Sequence, residues 1–232
     1  MAEIAVVGGH GKVALLTLPQ LIQAGYGVHA LVRNPDQSEA IAATGAHPVI
    51  ADVERLDTAS IANVLRGRKV VIWSAGAGGG NPDRTYAVDR DAAIRTMDAA
   101  ARVGASRFIM VSYFGAGPEH DVEPDSSFFP YAQAKSAADG HLALTSLAWT
   151  ILRPSRLTDD QATGRISVGS DQGAGTVSRG NVAAAIAGAL ANPHTIGKIY
   201  EFNDGDVAIA DALAGEGWKP RSAEAVGLPP QA

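Results

Sequence analysis

The sequence predicts an α/β fold, a parallel sheet flanked by helices with a small C-terminal substrate-binding region. Three observations predict it. Short apolar runs alternate with stretches of helical periodicity from the N-terminus onward. The first apolar run passes directly into glycines and then into a helix. No linker or internal repeat divides the 232 residues, so residues 1–232 are expected to form a single domain.

The elements follow in order. Residues 4–7 form a buried-type strand. Residues 13–24 form a helix with Val13, Leu16, Leu21 and Ile22 at apolar positions and Gly25 as its stop. Pro19 falls inside that helix and argues against a straight one. A strand at 28–32, a helix at 37–43, a strand at 49–51 and a helix at 58–65 come next; Asp57 or Thr58 can cap the last. Residues 70–74 are a strongly apolar strand, and 76–81 a glycine-rich loop. A long helix covers 86–102 and stops at Gly104; residues 108–111 are the fifth strand. The prolines, glycines and acids of 115–130 predict a long loop. Helix returns at 131–146 and strand at 149–152. Residues 153–175 form loop with a short strand near 166–168. A helix at 181–190 capped by Asn181, a strand at 198–202 and a loose tail with Pro220, Pro229 and Pro230 complete the chain.

Composition narrows the function classes. Apolar residues make up 46% and charged residues 19%, as in a globular protein. The formal charge of −5 argues against nucleic acid as a partner. The basic groups Arg66–Arg68–Lys69 and Arg153–Arg156 are the local exceptions, and the first sits at a helix end that favours cations. The lack of cysteine removes disulfides, thiolate metal sites and thiol nucleophiles, and fits a cytoplasmic location. No leader signal and no apolar run near ~18 residues is present, so no membrane association is expected. His47, His120, His141 and His194 have no ligand spacing, and no metal is expected. The expected partner is a small molecule, and the expected state a monomer or homodimer.

The segment Gly8-Gly9-His10-Gly11-Lys12-Val13 joins the first strand to the first helix. Gly8 permits a tight turn, and Gly11 close backbone approach. The helix start at Lys12 and Val13 offers free N–H groups to a pyrophosphate. Strand, glycine turn and helix at the head of a βαβ chain form the context of a dinucleotide site. About twenty residues on, the second strand ends in Arg33-Asn34. A guanidinium there pairs with a 2′-phosphate, which favours NADP over NAD. Lys12 and His10 can add charge or hydrogen bonds near the phosphates. Asp52 and Val53 end the third strand and can contact the adenine. Ser74, Ala75 and Gly76 end the fourth, where backbone passes close to the ribose and nicotinamide.

Tyr131 and Lys135 stand four residues apart and share a helix face. An ammonium beside a phenol favours the phenolate and can hold a ribose hydroxyl, while the phenol exchanges a proton with a carbonyl oxygen. Ser112, at the end of the fifth strand, is the candidate to polarise that oxygen, or it bonds only its own backbone. Tyr113 can also reach the pocket. Phe128 and Phe129 are candidate wall residues, and His120 and Asp121 meet substrate if their loop folds over. Arg153 and Arg156 either meet an anionic group or, for Arg153, form a structural salt bridge. Trp73 is expected in the core.

Taken together, Gly8-Gly9-His10-Gly11, Arg33-Asn34, Asp52, Ser74-Ala75-Gly76, Val111-Ser112, Tyr131-Ala132-Gln133-Ala134-Lys135 and Leu152-Arg153-Pro154 resemble the short-chain dehydrogenase/reductase superfamily. The resemblance spans roughly residues 3–205 and is to the atypical NAD(P)-binding branch, with its NmrA-like and flavin/biliverdin-reductase-like members. It implies a Rossmann fold, NADP as cofactor, Tyr131 as acid/base, Lys135 as its partner and Ser112 as the third member. It also implies a substrate region built mainly by residues 113–130 and 153–232. The chain departs from the pattern at Ala14, where a third glycine is usual, at His10, and at Ser112-Tyr113-Phe114, where extended relatives carry a serine run. The expected reaction is hydride transfer between nicotinamide and a small carbonyl, quinone or flavin-like substrate. A non-catalytic NADP(H) redox sensor is the alternative. A nucleotide-sugar epimerase or dehydratase is disfavoured, since only about 80 residues follow the sixth strand.

Overall fold

The computed structural model describes residues 2–78, 80–215 and 217, with backbone alone at Gln172. The proline-containing tail and the C-terminal end of the expected substrate region lie outside the described residues, as does Gly79 within the glycine-rich loop. The strands are β1 (Glu3–Val7), β2 (Gly27–Val32), β3 (His47–Ile50), β4 (Val70–Trp73), β5 (Arg107–Val111), β6 (Trp149–Pro154), β7 (Arg156–Thr158), β8 (Arg165–Val168), β9 (Thr176–Ser178), β10 (Lys198–Asp204) and β11 (Val207–Ala208). The helices are α1 (Lys12–Gln23), α2 (Ser38–Ala42), α3 (Thr58–Leu65), α4 (Pro82–Thr85), α5 (Ala93–Arg102), α6 (Phe129–Leu144), α7 (Arg179–Ala191) and α8 (Ile209–Ala214).

A nine-stranded sheet runs in the order β11-β8-β10-β6-β5-β4-β1-β2-β3. From β3 to β10 the strands are parallel; β8 and β11 close that end antiparallel. Strand order reverses at β1, which pairs with β2 on one side and β4 on the other. That reversal opens a crevice beyond the strands' carboxyl ends. A separate parallel pair joins β7 to β9.

Alternation along the strands builds two cores. Ile4, Val6, Val28, Ala30 and Ile72 face α1 and α7, against Leu18, Leu21, Val182 and Ile186. Ala5, Val7, Val71, Trp73, Phe108 and Met110 face the other side, against Ile61 and Leu65 of α3, Met97 of α5 and Leu142 of α6. Strands covered on both faces read as continuous apolar runs, which is why β1, β4 and β5 were evident in the sequence. Trp73 is fully buried, as expected.

Several boundaries differ from the sequence-based expectation for local reasons. α1 runs through Pro19, whose ring lies on the exposed side while Ala14, Leu18 and Leu21 face the core. The long helix starts four residues early, because Asn81 accepts a hydrogen bond from the Arg84 N–H and Pro82 opens the first turn. It then widens into a π-helical stretch, Tyr86–Ala92, before α5. The cap of α7 is Ser178, not Asn181: its hydroxyl accepts from the Asn181 N–H. The Asn181 side chain instead donates to Thr163, Arg165 and Asp204 and accepts from Gly164. β7 lies within the stretch expected as loop, and β9 lies where the sequence indicates no element.

The two ends of the large sheet are short and irregular. β3 has four residues, one of them Pro48, and β11 has two.

Candidate functional site

The glycine turn is held by its neighbours. Gly8 takes φ +80°, and a Cβ there would lie 2.6 Å from the Ala75 Cα. A Cβ on Gly9 would lie 2.5 Å from the Ala30 Cβ. Both positions therefore exclude a side chain. The Gly8 and Gly9 N–H groups donate to the Leu31 carbonyl, which locks the turn between β1 and β2. Gly11 starts α1 with no capping side chain, so the first-turn N–H groups of a 12-residue helix lack an intrahelical acceptor.

These donors border a cleft of about 270 Å³ lined by Gly8, His10, Gly11, Arg33, Asp52 and Glu54, among others. Val53, Ser74, Ala75 and Gly76 line it too. A phosphate-bearing dinucleotide fits this donor set. Glycine keeps side chains off the turn, uncapped N–H groups face anions, and guanidinium groups stand at the far end. Of the residues singled out from sequence for the cofactor, Gly9, Lys12, Val13, Asn34 and Lys135 do not line the cleft. Lys12 reaches away to Asp159 at 2.8 Å, and the Asn34 side chain accepts from the Asp36 N–H.

The cleft contains groups that the sequence did not reveal. Arg84, on α4, places Nε 3.3 Å from Glu54 Oε2, and Arg33 Nη1 lies 3.5 Å from the same oxygen. Arg84 also donates to the Ala77 carbonyl. The turn carrying Glu54 is fastened by Arg95, which donates to the carbonyls of Val53, Glu54 and Leu56. Asp52 caps that turn by accepting from the Glu54 N–H.

A second cavity, about 790 Å³, adjoins the first. Gly76 and Ala77 line both. Its wall includes Pro82, Pro124, Phe128, Pro130 and Tyr131. Tyr131 stacks in a cluster with Tyr113 and Phe128, ring centroids 5.2–5.4 Å apart. Burial pushes the Tyr131 phenol well above its ordinary pKa, and the carboxylates of Asp89 and Asp139 add to the shift. The Tyr113 phenol is pushed up to about 12 by burial and by Asp139.

One turn along α6 from Tyr131, Lys135 is fully buried and its ammonium donates to the Val111 carbonyl at 2.7 Å. Burial lowers its pKa, opposed by Asp89 and Asp139. Asp89 sits in the π-helical stretch, 1% exposed, and accepts from the Ala77 N–H at 2.9 Å. Burial raises its pKa, opposed by Lys135. Asp89 thus ties the loop shared by both cavities to the charge environment of Lys135. Its signal in the sequence was an acid on the buried stripe of the long helix, beside Val88 and Ala92.

The Ser112 hydroxyl donates to Asp139 at 2.9 Å, a fully buried carboxylate on α6. Arg153 meets the same oxygen at 3.0 Å and Glu201 at 3.2 Å. Arg153 therefore forms a structural salt bridge, while also lining a third cavity with Glu119, Asp171 and Glu201. Among the described residues, no cluster of three or more His, Cys, Asp or Glu side chains could hold a metal, and no helix is long and apolar enough to cross a membrane.

Comparison with known proteins agrees with this geometry. The Bacillus subtilis protein named uncharacterized sugar epimerase YhfK is 34% identical over 215 residues, covering 91% of this chain and 98% of its own. The oxidoreductase ylbE from Lactococcus lactis superposes with a TM-score of 0.81 at 29% identity, covering 91% of this chain and 94% of its own. ChuY, an anaerobilin reductase from Escherichia coli O157:H7, superposes with a TM-score of 0.73 at 26% identity, covering 89% and 98%. Residues 8–193 match the NAD(P)H-binding family. The chain belongs to that family, within the NAD(P)-binding Rossmann-fold oxidoreductase and epimerase–dehydratase superfamily.

Proposed function

We propose that the protein is an NADP-dependent oxidoreductase of the flavin/biliverdin-reductase-like branch, acting on a small carbonyl, quinone or flavin-like substrate. The observation that carries this reading is the shared wall at Gly76 and Ala77. It joins a cleft suited to a dinucleotide to a cavity that contains a phenol. When bound, the dinucleotide supplies or accepts a hydride at the nicotinamide. The residues of the chain do the rest. Gly8, Gly11 and the start of α1 receive the phosphates, and Arg33 with Arg84 receives a 2′-phosphate. Asp52 and Val53 flank the base, and Ser74 to Gly76 keep the backbone close to the ribose. Tyr131 exchanges the proton with the substrate oxygen. Lys135 fastens α6 to the end of β5 through the Val111 carbonyl, rather than drawing the Tyr131 phenol toward the phenolate, and the Ser112 hydroxyl is engaged by Asp139 behind the site.

Likeness to an anaerobilin reductase supports the reductase direction. The name sugar epimerase on the Bacillus subtilis relative suggests another substrate. A nucleotide sugar, however, brings a diphosphate, and Arg153 beside the third cavity is already matched by Asp139 and Glu201.

The test is a paired titration and turnover assay. NADPH is expected to bind more tightly than NADH and to be oxidised by quinones or aldehydes. Tyr131→Phe is expected to cut kcat by roughly 10²–10⁴-fold without moving the NADPH Kd. Unchanged turnover in that variant would remove Tyr131 from the proton step. Binding of NADPH without turnover across the panel would turn the reading to the redox sensor.

A further inference from the structure

The cavity beside Tyr131 differs in charge from the spaces on either side. Arg33, Asp52, Glu54 and Arg84 line the dinucleotide cleft. Glu119, Arg153, Asp171 and Glu201 line the third cavity. Among the described residues, the wall of the cavity with Tyr131 carries no Asp, Glu, Lys, Arg or His side chain.

Its polar groups are mostly engaged locally. Asn81 accepts from the Arg84 N–H, Thr85 donates to the Asn81 carbonyl, and Ser126 accepts from the Phe128 N–H. No hydrogen bond among the described residues engages the Tyr131 hydroxyl. What remains for a ligand is an apolar wall of Phe128 and three prolines with two neutral hydroxyls, those of Tyr131 and Ser127. Phe128 is 43% exposed even though its ring packs on Tyr113 and Tyr131.

The loop that supplies Pro124, Ser126, Ser127 and Phe128 to this wall is acidic in sequence. From Phe108 to Ala134 the sequence has four carboxylates, Glu119, Asp121, Glu123 and Asp125, and no Lys or Arg. An anionic ligand would find no cation on this wall, and the guanidinium of Arg84 beside it is held by Glu54 and the Ala77 carbonyl. Burying a carboxylate, sulfonate or phosphate in this space leaves its charge unpaired, which is strongly unfavourable.

We propose that the substrate cavity selects an uncharged, predominantly apolar ring carbonyl and excludes anionic compounds. This rests on the reductase reading above and narrows it. For a quinone the chemistry balances without another reagent. The ring gains two electrons and a proton's worth of hydrogen as hydride, the second proton comes from Tyr131, and a hydroquinone leaves as the reduced dinucleotide is oxidised. The Tyr131 proton is then restored from solvent.

A matched pair of probes tests it: menadione, which is neutral, and naphthoquinone sulfonate, which carries an anion on the same ring system. Menadione is expected to show a kcat/KM about tenfold or more above the sulfonate. Ser127→Arg places a cation on the cavity wall and is expected to close most of that gap by improving the sulfonate. Calorimetric binding of each probe to protein saturated with NADP⁺ gives a readout independent of turnover and is expected to rank them alike. Equal or better use of the sulfonate by the unmodified protein, or a ratio unmoved by Ser127→Arg, would overturn the proposal. If neither probe is reduced while NADPH binds, the reductase reading fails, and the calorimetric ranking alone decides the selectivity of the cavity. Binding of neither overturns the proposal.

Discussion

Arg84 holds Glu54, its Nε 3.3 Å from Oε2 at the rim of the dinucleotide cleft. Arg33 approaches the same oxygen at 3.5 Å. One carboxylate therefore occupies both guanidinium groups proposed to receive a 2′-phosphate, and a phosphate must compete with it. Glu54→Gln removes the competitor. Its Kd for NADPH is expected to fall about two- to fivefold, the scale of an accessible ion pair, with NADH unchanged. If Glu54 instead holds the ribose diol, the variant loses NADH affinity, and the NADP assignment falls with it.

Arg84→Met tests the other partner. It removes one charged donor from the phosphate and one from the Ala77 carbonyl. NADPH binding is expected to weaken by roughly tenfold, with NADH changed far less. Equal losses for both cofactors would mean that Arg84 only shapes the loop.

The pH dependence follows from Tyr131. Burial raises its phenol pKa, so the protonated form persists across the neutral range and well into the alkaline range. As proton donor in reduction it is ready throughout, and the single-turnover rate of reduction is expected to stay flat between about pH 6 and pH 9. The reverse oxidation needs the phenolate, and its rate is expected to climb with pH over the same span. A reduction rate that falls across neutral pH would assign the proton to another group.

The Arg153–Asp139 pair carries stability. Both side chains are nearly fully buried, at 8% and 2% exposure. Arg153→Met leaves Asp139 buried without its cation. The expected loss is about 3–5 kcal/mol, a fall in Tm of roughly 6–20 °C for a chain of this size. Adding Asp139→Asn to that variant is expected to recover part of it, because the stranded charge is gone. Thermal scans of the single and double variants check both.

At the start of α7, Ser178 takes the capping role that the sequence assigns to Asn181, and the two residues are expected to differ in what their loss costs. Ser178→Ala removes an ordinary cap, worth about 1 kcal/mol. Asn181→Ala strands Gly164, Arg165 and Asp204 at once and is expected to cost more, roughly 2–3 kcal/mol. Urea denaturation of the two variants measures the ranking.

What the sequence made legible was what depends on neighbours along the chain. α3 was bounded correctly at 58–65 because its cap, Asp57, and its apolar stripe are both local. The parallel strands stood out because both their faces are buried. β7 and β9 did not, since each has three residues and its partner lies about twenty residues away. The site divides in the same way. The glycine turn and the ends of β2, β3 and β4 were readable as strand termini. Glu54 and Arg84 were not, because thirty residues separate them and only the tertiary fold brings them together. The same holds for Asp139, which joins Ser112 to Arg153 across α6, β5 and β6.

The blunt ends of the large sheet bear on how the molecule meets copies of itself. An open sheet offers unpaired backbone groups along its outermost strands, and these can recruit another chain. Here β3 lacks one donor at Pro48, and β11 is only two residues long. Among the described residues, neither border presents a continuous ladder to extend. Strand addition at these described edges is therefore disfavoured.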